Sequence, residues 1–219
     1  MHFIGTVIEK LQRHPKRIVF PEGTEPRVLQ AARQFHCLRL GAPILLGQRI
    51  RIEALAAELN IPLDGIRLIN PEESPDLDGF ARTFRLLRRP RGMKSMEARE
   101  ALLNPNYFGA MMVAMHQADG LVTGTNVATT LVLRPLIQTI RLAPHISTAA
   151  GCTVLEFNHA PSAATQTALL ATTHGTTPAE LAAWFNRGER GFVINTPDNA
   201  AAGTALALAL ADGAEILPH

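Results

Sequence analysis

Short apolar runs and helical stretches alternate along the first third of this chain, and that alternation restricts its fold more than any other feature. Arg17-Ile18-Val19-Phe20 is an apolar run closed by Pro21-Glu22-Gly23, and Glu25 to Phe35 then places Val28, Leu29, Ala32 and Phe35 at helical spacing. Pro43-Ile44-Leu45-Leu46-Gly47 reads as a second strand. Ile50 to Leu59 carries Ile52, Leu55, Ala56 and Leu59 on one helix face, and Ile66-Arg67-Leu68-Ile69 before Asn70-Pro71 reads as a third strand. A β-α-β-α-β order predicts a parallel sheet with covering helices, because parallel neighbours need a crossover long enough to return to the starting edge.

Helices dominate next. The spacing predicts helices over 80–88, over 95–103 with Ser95 as its cap, and over 107–116 with Phe108, Met111, Met112 and Met115 on the apolar side. The methionines read as gap-filling core residues. Gly120 to Val122 returns as a strand, and a helix over 133–142 ends before Pro144.

Beyond His145 alanine and threonine take over, and the apolar faces thin. Cys152 to Phe157 is a candidate strand and Ser162 to Thr173 a candidate helix. Thr177-Pro178-Ala179-Glu180 is a capping box that opens a helix over 178–186. Gly191 to Asn195 reads as a strand and Ala200 to Ala211 as a helix, one more β-α unit. The expected organisation is an α/β domain over 1–144 followed by a divergent, Ala/Thr-rich α/β segment over 145–219.

A chain of 219 residues can bury a core without staples. Its two cysteines, Cys37 and Cys152, form no CxxC pair, so neither a zinc site nor a disulfide framework is expected, and a reducing cytoplasm is the simpler home. Charge appears at Glu9 and Lys10 before a signal-type apolar run develops, and no later segment is apolar over a membrane thickness. Net charge is only +2. Arg82, Arg85, Arg88, Arg89 and Arg91 crowd one stretch, but Phe84, Leu86 and Leu87 interrupt them as an amphipathic helix would, so nucleic acid is not an expected partner.

Chemistry concentrates between Ala118 and Pro135. A strand runs into Thr123-Gly124-Thr125-Asn126, and a helix carrying Arg134 in its first turn is expected to follow. Amides of a Gly turn and a helix start can donate to phosphate oxygens whose charge an arginine neutralises, although loops of this composition also serve simply as caps. Walker A, GxGxxG, GxSxG and HExxH patterns are absent. No metal ligand set is expected, and each lone histidine reads as a surface or satisfied polar residue.

The ordered series Val19-Phe20-Pro21-Glu22-Gly23, Arg27-Val28-Leu29, Leu45-Leu46-Gly47, Asn70-Pro71, Tyr107 to Met112, Ala118-Asp119-Gly120, Thr123-Gly124 and Leu133-Arg134-Pro135 resembles phosphate acetyltransferases and phosphate butyryltransferases, the former more closely. The resemblance covers about the first 145 residues and continues more weakly to Phe157. It implies a Rossmann-like parallel α/β fold of the isocitrate/isopropylmalate dehydrogenase type, with a shortened, divergent C-terminal part. It also implies acyl transfer from acetyl-CoA to phosphate, with both as small-molecule substrates and no bound cofactor, and it admits a homo-oligomer. Arg88 is similar in placement to a family arginine near the active site and Arg134 matches one associated with phosphate and substrate; with Thr123, Gly124 and Thr125 they form the substrate-, phosphate- and CoA-binding set that the resemblance implies. No catalytic residue or general base is assigned.

Two departures bear on function. The family loop Ser-Gly-Ala-x-His-Ser-x-x-Asp-Thr-x-Arg-Pro has Val127 here for its histidine and Leu131 for its aspartate. The family's later Ser-Thr-x-Gly-Ser and Asp-Leu-Ser-Arg-Gly motifs find no match after Phe157. A non-catalytic CoA- or acyl-phosphate-binding regulatory module, or a truncated and defective relative, is therefore the alternative expectation.

Overall fold

A computed structural model describes residues 3–126, 128–141, 153–157, 161–170, 177, 179–181, 191–194, 205, 208–210 and 214–216. The chain divides into two units, Lys10–Ala143 and Met1–Glu9 with Pro144–His219.

In the Lys10–Ala143 unit, strands β1 (Lys16–Phe20), β2 (Gly41–Leu46), β3 (Arg67–Ile69) and β4 (Gly120–Leu121) form one sheet in the order β3-β2-β1-β4. All three pairings are parallel, with Val19 opposite both Ile44 and Leu121. Helices α2 (Pro26–Cys37) and α3 (Arg49–Glu58) make the crossovers. Alternation along the strands assigns the two faces. Phe20 and Leu45 join Val28, Leu29, Ala32 and Ile52 in one core, while Val19, Ile44 and Leu46 join Phe80, Phe84, Phe108, Met111 and Met112 in the other. Met111 and Met112 are fully buried, as a core role requires.

Helix α4 spans Leu77–Arg88, α5 Ser95–Ala101, α6 Pro105–Ala114 and α7 Thr129–Thr139. Of these four helices, α6 alone among the described residues starts behind a side-chain cap. Ser95 is not the cap of α5: Lys94 holds that position, its amide donating to Oε2 of Glu97 at 3.1 Å, and the Ser95 hydroxyl accepts from Arg85 at 3.0 Å. Helix α6 starts two positions before Tyr107, because Asn104 accepts from the amide of Asn106 at 2.9 Å and Pro105 fits the first helical position. Helix α7 begins four positions before Leu133 and carries Pro135 inside it, so Arg134 lies in its second turn and not in its first.

The amphipathic helix α1 (Phe3–Arg13) precedes the sheet. In the other unit, β5 (Thr153–Phe157) pairs antiparallel with both β6 (Gly191–Ile194) and β7 (Ala214–Ile216). Helix α8 (Ala163–Leu170) contributes Leu169 to a small core with Phe157, Leu181, Ala205, Ala209 and Ala214. The capping box forms: Thr177 donates from its amide to Glu180 at 2.8 Å, and the Glu180 amide returns to the Thr177 hydroxyl at 3.3 Å. Of the helix expected over 178–186, residues 179–181 are described and helical, as are 205 and 208–210 of that expected over 200–211. Among the described residues no helix is long and apolar enough to cross a membrane.

Candidate functional site

Strand order sets where a ligand site forms on this sheet. From β1 the chain winds outward through β2 and β3, whereas β4 lies on the opposite edge of β1. The carboxyl ends of β1 and β4 therefore flank the reversal of winding, the place where open sheets of this kind form their ligand crevice. Two segments stand there: Pro21-Glu22-Gly23 after β1, and Val122 to Asn126 after β4.

A clasp at the opposite ends of the same strands sets their register. Arg17 donates through Nε and Nη2 to the two carboxylate oxygens of Asp119 at 3.1 and 3.0 Å, and its amide donates to the same carboxylate at 2.8 Å. Arg17 in turn holds the Asp119 carboxyl far below the usual carboxylate range.

At the crevice, Glu22 organises the loop. Gly124 and Thr125 donate their backbone N–H groups to Oε2 of Glu22 at 2.9 and 3.0 Å, and Asn126 donates to Oε1 at 2.9 Å. The Thr123 hydroxyl donates to Oδ1 of the buried Asn106 on α6 at 2.7 Å. Arg27 reaches the carbonyl of Thr125 at 3.5 Å while its Nε pairs with Glu25 at 3.0 Å. Partial burial alone would raise the Glu22 carboxyl pKa, but the amides of Thr125, Asn126 and Gly124 and the Thr123 hydroxyl outweigh it and hold the group ionised below its ordinary value.

Gly124 makes this turn possible. Its φ of 104° lies where side chains are rarely tolerated, and a Cβ there would meet nothing within 4 Å, so backbone angle and not crowding demands glycine. Gly23 answers a different need. A Cβ at that position would stand 2.6 Å from the carbonyl oxygen of Leu46, to which the Gly23 amide donates at 3.1 Å.

Thr123, Gly124 and Thr125 thus share one loop, but the amides of Gly124 and Thr125 are not the free donors anticipated for phosphate. Their partner is Glu22, which the sequence displays only as the middle of a turn; nothing in its spacing announces a contact 102 positions away. Arg88 ends α4 half-buried, with its Nε enclosed and unpartnered. Arg134 stands exposed on α7, which packs on α4 and is tied to α6 by the Tyr107 hydroxyl donating to Gln138 at 2.9 Å. Among the described residues, no hydrogen bond or ion pair joins either arginine to the loop. Val127 lies outside the described residues, and Leu131 is 61% exposed on α7.

A cavity of about 800 Å³ opens beside the other ends of the strands, lined by Lys16, Met111, His116, Asp119 and Arg141 among others. It lies away from the carboxyl ends, where sheets of this order place their ligands.

Residues 2–182 match the family model described as phosphate acetyl/butaryl transferase. A phosphate acetyltransferase from Staphylococcus aureus (strain MRSA252) is 38% identical over 149 residues, 68% of this chain and 45% of that protein. One from Bacillus subtilis (strain 168) is 34% identical over 152 residues, 69% of this chain and 46% of its own length. The chain therefore spans less than half of these relatives. Among solved structures, a phosphotransacetylase from Streptococcus pyogenes superposes with a TM-score of 0.67 at 34% identity, over 71% of this chain and 47% of that one. The EutD phosphotransacetylase from Staphylococcus aureus gives 0.64 at 25% identity, over 96% of this chain and 69% of that one.

Proposed function

Because the chain belongs to the phosphate acetyl/butaryl transferase family, we propose that it carries out acyl transfer between acetyl-CoA and inorganic phosphate at the β1–β4 crevice. The observation that carries this reading is the position of the family's Thr123-Gly124 loop, followed by α7 with Arg134, beyond the carboxyl end of β4. In the forward direction a phosphate oxygen attacks the thioester carbonyl, the C–S bond breaks, and CoA leaves as thiolate. In reverse the thiolate attacks acetyl phosphate and phosphate leaves with the electron pair of the C–O bond. No base is assigned from this chain.

Cations do most of what the reaction asks of the protein. A guanidinium can bind phosphate through two parallel charge-assisted bonds, fixing orientation as well as charge. Arg134, exposed and without an ion pair among the described residues, is assigned to phosphate and substrate. Arg88, the second arginine of the family resemblance, is assigned to the same substrates, its enclosed Nε a donor without a partner. Thr125 and Thr123 complete the proposed contacts.

The sheet is taken as that of the isocitrate/isopropylmalate dehydrogenase-like Rossmann fold, with residues 145–219 as a shortened second domain, and the protein is placed in the cytoplasm. CoA and phosphate act as substrates with no resident cofactor, and a homo-oligomer is compatible with the family.

One observation favours a second reading, a CoA- or acyl-phosphate-binding module without turnover. Leu131, exposed on α7, stands where the family loop has an acidic residue. Incubation with acetyl-CoA and phosphate, with acetyl phosphate and free thiol assayed together, separates the two readings. Turnover supports the enzyme; stabilisation of the fold by CoA without turnover supports the module.

A further inference from the structure

We propose that Glu22 is the positioning residue of this site: its carboxylate fixes the Thr123–Asn126 loop, so that an incoming phosphate is met by side chains and not by the loop's backbone. The inference rests on the crevice being the phosphate site, and it identifies which groups remain to recognise the anion.

The geometry assigns this role in three steps. First, a carboxylate offers two oxygens, and here both are engaged by amides from consecutive residues, Gly124 and Thr125 on one and Asn126 on the other. Charge-assisted bonds from backbone donors are among the stronger hydrogen bonds, and three on one group hold the backbone of a whole turn. Second, Glu22 is itself held on both sides. Pro21 is buried before it, and Gly23 is pressed against the end of β2 with its amide on the Leu46 carbonyl at 3.1 Å. The clamp therefore transmits the position of β1 and β2 to a loop that follows β4.

Third, the anion-binding capacity of the turn is already used. A phosphate seeking the same amides would have to displace a carboxylate of like charge, and bringing the two anions together is unfavourable. The loop instead presents the Thr125 side chain and leads into α7, where Arg134 stands exposed. Backbone supplies shape, and side chains supply charge.

Amide hydrogen exchange on the full chain, resolved by residue, tests the clamp without needing turnover. In Glu22→Ala the amides of Gly124, Thr125 and Asn126 should exchange about ten-fold faster or more than in the parent, while protection in β1 and β2 is kept. Glu22→Gln, which retains one acceptor oxygen, should fall between, and it decides the matter if the alanine variant does not fold. Orthophosphate added to the parent should leave these three amides protected and their resonances nearly unmoved. Unchanged exchange at all three amides in both variants would overturn the proposal, as would phosphate-induced movement of all three in the parent. In protein that turns over, Glu22→Gln should raise KM for phosphate more than KM for acetyl-CoA; equal changes would argue against a role at the phosphate site. Absence of turnover bears on the acyltransferase reading alone, since exchange reports on the clamp directly.

Discussion

Oε1 of Glu22 lies 2.9 Å from the backbone nitrogen of Asn126, a residue 104 positions further along the chain. With the two bonds to Gly124 and Thr125, that contact joins the turn after β1 to the loop after β4 across the reversal point of the sheet. A carboxyl whose pKa is lower in the folded than in the unfolded chain stabilises the fold in its ionised form. The Glu22 contribution is complete above the ordinary glutamate range and is lost as pH falls through the folded value. Urea midpoints followed from neutral into acid pH should therefore drop more steeply for the parent than for Glu22→Gln, with the two curves converging at the acid end.

Asp119 should act further into acid. Its carboxyl is pushed down by the side chain and amide of Arg17, so Asp119→Asn should lower the urea midpoint at neutral pH by an amount that persists below the range in which Glu22 titrates. Both side chains are partly exposed, so added salt should shrink the part of the difference that comes from charge. A difference insensitive to both salt and pH would mean that the pair works through its geometry alone.

Gly124→Ala should destabilise the loop by about 1–3 kcal/mol, the usual cost of holding a residue with a side chain at an unfavourable positive φ. Because open space surrounds the position, the cost should not grow with side-chain size, and Gly124→Ser should match Gly124→Ala. Thermal or urea unfolding of the two variants checks this; a marked size dependence would point to crowding.

Phe108→Ala should cost about 3–5 kcal/mol, the range for removing a buried aromatic ring. Phe108 is 1% exposed and packs against Phe80 with ring centroids 5.1 Å apart, at the centre of the core that places α6 beneath the loop. Equilibrium unfolding measures the loss directly.

Much of this was legible in the residues. Short continuous apolar runs with helical stretches between them gave the parallel sheet, because Val19 and Phe20 face opposite cores and a crossover must cover each. Helix starts were less legible where proline or lysine led: α6 begins at Pro105 behind Asn104, and α7 begins at Thr129, where the described residues show no side-chain cap to announce it. The antiparallel pairing of β5 with β6 and β7 was hidden by weak patterning, since alternation along one strand does not name its partner. The site divided in the same way. Thr123, Gly124 and Thr125 stood out by composition, whereas Glu22 is visible only once the fold brings the turn after β1 to the loop after β4, for no local spacing encodes a bond across 102 positions.

Arg134→Gln should weaken phosphate and CoA binding while leaving the urea midpoint nearly unchanged, because the side chain is exposed and makes no ion pair among the described residues. Titration with each ligand separately would show whether one or both affinities fall, and an unchanged affinity for both would remove Arg134 from the site.

The most direct test of acyl transfer at the β1–β4 crevice is a paired assay of the purified chain with acetyl-CoA and orthophosphate. The expected result is phosphate-dependent release of free CoA thiol matched mole for mole by acetyl phosphate, and its loss in Arg134→Gln. No thiol release above the phosphate-free control would contradict it, as would release that Arg134→Gln leaves intact.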